Sequence, residues 1–157
     1  MGDQSYGVAA AETVRSYDGI GFLKAMIAGA VPQPPMCELL GFRLVEAENG
    51  RAVFEGRPQL QHYNPFGTVH GGFAATMLDS ALGCAVHSTL PAGDGFTTLE
   101  LKVNLVRAIT QDTGLVRAEA RILHRGRTVA TADADLKDAS GKLYAHASTT
   151  CMIFPAK

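Results

Sequence analysis

Asn64, the glycine pair Gly71-Gly72 and Asp79 are the residues of this sequence whose types and spacing could do chemistry together. Asp79 is the one charged residue in an apolar run over residues 71–87. A carboxylate shielded in such surroundings is costly unless it is paired or used, which makes it a candidate nucleophile or general base. The two glycines mark the start of a helix, where the first N–H groups lack partners and the helix dipole is positive. Glycine also lets a ligand approach the backbone closely. A carbonyl oxygen gaining negative charge could be held there as in an oxyanion hole, with the Asn64 amide as a second donor. A tight turn with close packing explains the glycines equally well. Asp79 lies eight residues after Gly71, roughly 12 Å along a helix axis. Reacting groups must come within about 3–3.5 Å of each other. If both groups serve one site, two antiparallel copies of the helix must meet, each giving its Asp79 to the other's N-terminus.

The remaining polar positions of this run are Thr76, Ser80, Gly83 and His87, which with Asp79 share one helical face. A solvated face of that length normally carries several Lys, Arg or Glu. This one has a single charge among small residues, the composition of a narrow seam against a ligand or another chain. The elements that position it follow from periodicity. Residues 1–10 are small and polar and expected to fray. Residues 11–30 read as a helix broken near Gly19 and Gly21 and ended by Pro32, Pro34 and Pro35, with one more turn over 36–40 closed by Gly41. From Phe42 the period changes to two, and Asn49-Gly50 predicts a hairpin. After the helix, residues 96–106 put Leu99, Leu101, Val103 and Leu105 on one face, the pattern of a half-buried strand. Three further strands follow, turning at Arg125-Gly126-Arg127 and at residues 138–141. The expected fold is α+β: two strands, one long helix, then four strands read as an antiparallel meander, with the sheet wrapped around the helix.

The 157 residues suit one domain, and 46% apolar with 18% charged residues suits an ordered but charge-poor surface, which favours an oligomer. A net charge of −1 gives no electrostatic case for nucleic acid or an anionic membrane. Cys37, Cys84 and Cys151 have neither zinc-site nor redox spacing. No charged-then-apolar leader is present and no apolar run reaches the ~18 residues of a membrane span, so a cytoplasmic location is expected. None of the five histidines has metal-ligand spacing, and no Gly-x-Ser-x-Gly elbow is present.

Asn64…Gly67-Thr68-Val69-His70-Gly71-Gly72…Thr76…Asp79, followed by residues 97–104 (Thr-Thr-Leu-Glu-Leu-Lys-Val-Asn), resembles the hotdog-fold acyl-CoA thioesterases of the phenylacetate-degradation (PaaI-like) type. The resemblance covers residues 35–155, so residues 1–34 are read as an N-terminal extension to a domain at 35–157. It implies dimers joined through a continuous sheet, often paired again into tetramers, with active sites at the subunit interface. By position, Asp79 matches the catalytic carboxylate, Gly71 the oxyanion donor and Asn64 the residue that orients the carbonyl or the water. Thr98, or its neighbour Thr97, matches a water-positioning hydroxyl. Asp79 and Thr98 would come from one subunit, Asn64 and Gly71 from the other. His70 is structural in this reading and, with Gly72 and Thr97, lines the substrate. Arg125, Gly126 and Arg127 could hold coenzyme A phosphates, or be a solvated hairpin tip. The implied reaction is hydrolysis of acyl-CoA to acid and free CoA, with no metal and no cofactor beyond the substrate's own coenzyme A. Two alternatives are a hotdog enoyl-CoA hydratase using His70 with Asp79, and a non-catalytic acyl-CoA-binding protein.

Overall fold

The structure, a computed structural model, describes residues 4–155. Its chain order is α1 (Ala11–Ser16), α2 (Gly19–Ile27), α3 (Pro35–Leu40), β1 (Phe42–Glu48), β2 (Arg51–Gly56), α4 (Gly71–His87), β3 (Asp94–Leu105), β4 (Val116–Arg125), β5 (Val129–Asp138) and β6 (Leu143–Pro155). The six strands form one antiparallel sheet in the order β1-β2-β4-β5-β6-β3. The helix α4 lies against one face of it, burying Phe73, Ala74, Met77, Leu78, Ala81, Leu82, Ala85 and Val86. Opposite it, β4, β5 and β6 present Ala118, Ala120, Ala130, Ala132, Ala134, Ala145 and Ala147, all buried. Small side chains on the inward face let the helix lie close to the sheet, where bulkier ones would overpack it.

The meander expected over the last four strands covers only β4, β5 and β6. β3 leaves the C-terminal end of α4 and pairs with β6 at the far edge, while β2 pairs with β4 in the gap. Each of β1, β3 and β4 carries a register shift, at Leu44/Glu46, Thr98/Glu100 and Ile122/His124. Bulges of this kind increase local twist and help a sheet curl around a helix. The Asn49-Gly50 hairpin forms as expected, although only Gly50 has positive φ, at 80°. A type I′ turn needs positive φ at both positions, so this turn is not that type.

The N-terminal helix divides into α1 and α2 as expected, but the break falls at Tyr17 and Asp18 rather than at the glycines. Asp18 caps α2 by accepting from Gly21 N–H at 2.7 Å, and Gly19 and Gly21 both lie inside that helix. Gly19 has a packing role there, since a Cβ on it would lie 1.6 Å from the His87 carbonyl oxygen at the end of α4. Leu23, Ala25, Met26 and Val31 belong to the same core as α4 and the sheet. Fraying of residues 1–10 does not extend to residues 5–7, which are tied to Gln33: Gly7 N–H donates to the Gln33 carbonyl and Gln33 N–H to that of Ser5, both at 2.9 Å. Residues 1–3 of that expectation lie outside the described residues.

Gln33 itself is fully buried and pairs with the edge strand β1. Its Nε2 donates to the Leu44 carbonyl and its Oε1 accepts from the Leu44 N–H, both at 3.1 Å. One side-chain amide thus takes the place of a neighbouring strand and covers this edge of the sheet. Replacing Gln33 by leucine strips partners from two buried backbone groups, at about 1–3 kcal/mol for each. The expected result in urea is a midpoint shift of that size, with the unfolding slope unchanged.

Candidate active site

The segment before α4 is held by its own polar side chains. Asn64 Oδ1 accepts from Phe66 N at 2.9 Å and Thr68 N at 3.4 Å, and its Nδ2 donates to Thr68 Oγ1 at 3.0 Å. Asparagine in this role mimics a backbone turn. One of the two Nδ2 hydrogens is left over for a ligand. His70 is the N-cap of α4, and its Nδ1 accepts from Gly72 N–H at 2.9 Å. The His70 backbone is itself fixed by donation to the His62 carbonyl at 2.7 Å. His62, buried, stacks on Phe73 with 4.6 Å between ring centroids.

These bonds divide the two glycines. The Gly72 N–H is committed to the cap, whereas the Gly71 N–H has no hydrogen-bond partner among the described residues. Gly71 also lets Leu105 lie close to the helix start, since a Cβ there would be 2.4 Å from Leu105 Cδ1 and the leucine would have to move aside. Gly71, Asn64, Thr68, His70, Leu105 and Arg107 are among the residues lining a cavity of about 330 Å³. A free amide N–H, an amide side chain and a positive helix terminus together suit an oxygen carrying negative charge.

Asp79 does not line that cavity. It sits mid-helix, half-buried, on the side of α4 that faces β3, where its Oδ1 accepts from Thr98 Oγ1 at 3.4 Å. Thr98 reaches it because of the bulge in β3. Strict alternation back from Leu101 would turn Leu99 and Thr97 inward and Thr98 outward. The extra residue Leu99 reverses the phase: Thr98 pairs with buried Cys151 and Thr97 with exposed Met152. Leu99 is therefore 58% exposed rather than buried, and Thr97 faces away from Asp79 on the other side of the sheet. Leu105, also expected inside, is 57% exposed at the rim of the cavity beside Gly71. His70 stands at the start of the helix, nine residues from Asp79, roughly 13 Å along the axis.

The hairpin Arg125-Gly126-Arg127 joins β4 to β5. Arg125 pairs with Ala130, which pairs with Cys151, which pairs with Thr98, so all four share one row of the sheet. Arg125 stands three strands from Thr98, about 14 Å at the usual strand spacing. Its Nη1 donates to the Gly126 carbonyl, its Nε is buried without a partner, and Arg127 is exposed. A larger cavity of about 640 Å³ lies on the opposite face of the sheet, among Arg117, Asp133 and Lys137, and contains none of these residues.

Thr68 and His62, which hold Asn64 and His70 in place, escape a reading of the sequence; an Asn-x-x-x-Thr spacing before a helix is the only signal for the first. Burial pushes the Cys37 thiol up to about 11 and the Cys84 thiol up to about 12, so neither is a nucleophile at neutral pH. Among the described residues no group of His, Cys, Asp or Glu side chains is placed to hold a metal ion, and no helix is long and apolar enough to cross a membrane.

A six-stranded antiparallel sheet curled on one long helix, with a lone carboxylate on that helix and a free N–H at its start, has the layout of a hotdog-fold hydrolase. The family model described as the thioesterase superfamily matches residues 66–145. Human acyl-coenzyme A thioesterase 13 is 30% identical over 108 residues, covering 68% of this chain and 76% of the relative. Among solved structures, a phenylacetic acid degradation-related protein from Ralstonia eutropha JMP134 superposes with a TM-score of 0.75 at 32% identity, over 83% of this chain and 98% of that one. A mutant of the phenylacetic acid degradation protein PaaI from Thermus thermophilus gives 0.68 at 28% identity, over 75% and 97%. The chain belongs to the thioesterase superfamily and is a thioester hydrolase of hotdog fold.

Proposed function

We propose that this protein hydrolyses acyl-CoA thioesters at a site shared between two copies of the chain. The observation that carries the reading is the separation of two half-sites along α4. A half-exposed carboxylate held by Thr98 lies mid-helix, and an unpartnered N–H with the Asn64 amide lies at the helix start, outside its reach. Antiparallel apposition of two α4 helices brings each carboxylate to the other's helix start. The sheet offers a matching edge. β1 is covered by Gln33, while β3 at the other end pairs with β6 on one side only. An uncovered edge strand is a ready template for a second chain.

In the shared site the thioester carbonyl oxygen accepts from Gly71 N–H and Asn64 Nδ2 of one copy. Asp79 of the other attacks the carbonyl carbon or removes a proton from the water that does. Negative charge collects on the oxygen beside the positive helix terminus, then returns as the C–S bond breaks and the thiolate of coenzyme A leaves. Water supplies the oxygen and protons that complete acid and thiol, so no further cofactor is needed. The CoA arm runs out of the site, and Arg125 and Arg127 are our candidates for meeting its phosphates.

The test is thiol release from short, aromatic and long acyl-CoAs, followed with a thiol reagent alongside acid formation. Equal amounts of acid and thiol are expected with at least one class. Loss of the enoyl absorbance of crotonyl-CoA without thiol would instead assign hydration, and tight binding of every acyl-CoA without turnover would leave a binding protein.

A further inference from the structure

The side of α4 that carries Asp79 continues toward the helix C-terminus through Gly83 and His87, and β3 runs antiparallel beneath it. Thr98 faces Asp79, and two residues earlier in β3 Phe96 faces Gly83. A Cβ on Gly83 would lie 3.1 Å from Phe96 Cε2 and Cζ, tighter than ordinary contact, so the absent side chain is what lets the ring sit against the helix. Behind Phe96 stands the His87 ring, 5.9 Å between centroids, and behind that Phe22 of α2 at 5.7 Å, edge to face. Burial lowers the pKa of His87, so this imidazole is neutral at neutral pH and belongs to an apolar wall. One helical turn beyond Asp79, roughly 6 Å along the axis, the seam is closed by three rings in a row.

A thioester carbonyl held at Asp79 sends out two arms, the acyl group and the pantetheine chain. A chain ending in a nucleotide cannot finish against a closed wall, so the arm directed to the helix C-terminus is the acyl group. We infer that Phe96, seated on Gly83 and backed by His87 and Phe22, is the stop that limits acyl length, and that the preferred substrates carry a short chain or a single aromatic ring. This rests on the proposed acyl-CoA hydrolysis. It also gives the N-terminal segment a part in specificity, since Phe22 lies ahead of the region matched by the thioesterase family model.

The experiment compares kcat/KM for acetyl-, hexanoyl-, phenylacetyl- and palmitoyl-CoA in the wild type, Phe96→Ala and Phe96→Leu, with melting temperature recorded for each. The wild type is expected to favour the first three over palmitoyl-CoA by at least tenfold. Phe96→Ala should narrow or reverse that ratio by ten- to a hundredfold, as each newly accommodated methylene adds roughly fourfold. Phe96→Leu, which keeps the apolar contact should the alanine variant not fold, should shift the ratio in the same direction and by less. An unchanged ratio in a folded variant, or a wild type that prefers palmitoyl-CoA, overturns the stop while leaving hydrolysis intact. A wild type that releases no thiol from any of the four overturns both.

Discussion

Asp79→Asn is expected to abolish thioester hydrolysis without unfolding the protein. Asparagine keeps the shape of the side chain and an oxygen able to accept from Thr98 Oγ1, the one hydrogen bond that the Asp79 carboxylate makes among the described residues. What it loses is the negative charge and the basic lone pair, which serve both a nucleophile and a general base. Removing a positioned base typically costs about 10²–10⁴ in rate. Removing a nucleophile costs at least as much. The loss should fall on kcat, because in the proposed shared site the thioester is held by the helix terminus of another copy and by contacts along its own length. KM should move less than about threefold. Melting temperature and oligomeric state should match the wild type, since no buried ion pair is broken. Activity within tenfold of the wild type would remove Asp79 from the chemistry and leave the lone charge of α4 without an explanation.

The helix and its charge are legible in the sequence because both are local signals. An apolar run without breakers, opened by two glycines, forms α4 at the expected residues, and Asp79 stands out by composition alone. The broken N-terminal helix and the Gly41 cap, with φ of 66°, are local too. Strand order is not. Residues that alternate say that a strand exists but carry no label for its neighbour. Consecutive strands pair often enough that a meander is the natural expectation. The departure from it has a physical cause in α4, which crosses the sheet and delivers β3 to the opposite edge from β2. The alanine rows of β4–β6 are similarly silent. Alanine is a weak signal of burial in a sequence, and its role here is to leave room for the helix.

At the candidate site the same division holds. Periodicity places Leu99 inside with Leu101 and Val103, and a single bulge undoes it. The bulge matters more than the error suggests, because it selects which of two adjacent threonines meets Asp79. Gln33 is unreadable for a different reason. A side-chain amide that stands in for a strand depends on where Leu44 lies in space, eleven residues away. Asn64 carries two signals at once. Its amide reads as a ligand donor, and the structure adds that three of its hydrogen bonds shape the turn that presents Gly71.

Two inactive variants should restore activity when assembled together. Gly71→Val places a branched side chain where Leu105 Cδ1 would be 2.4 Å from the new Cβ, and it crowds the free N–H. Losing such a donor costs about 10²–10³ in kcat. Asp79→Asn is inactive for the reason given above. If each site takes its carboxylate from one copy and its helix terminus from another, a mixed dimer contains one site with both defects and one with neither. Co-expression with two different tags and purification through both isolates the mixed species, which should recover roughly half of the wild-type activity per dimer. A site built within one chain predicts the opposite, since each chain of the mixed dimer would keep its own lesion and no activity would return. The experiment reads geometry through rate. The distance from Gly71 to Asp79 along α4 is the geometric reason to expect recovery, and recovery is a result that neither variant alone, nor the fold alone, can produce.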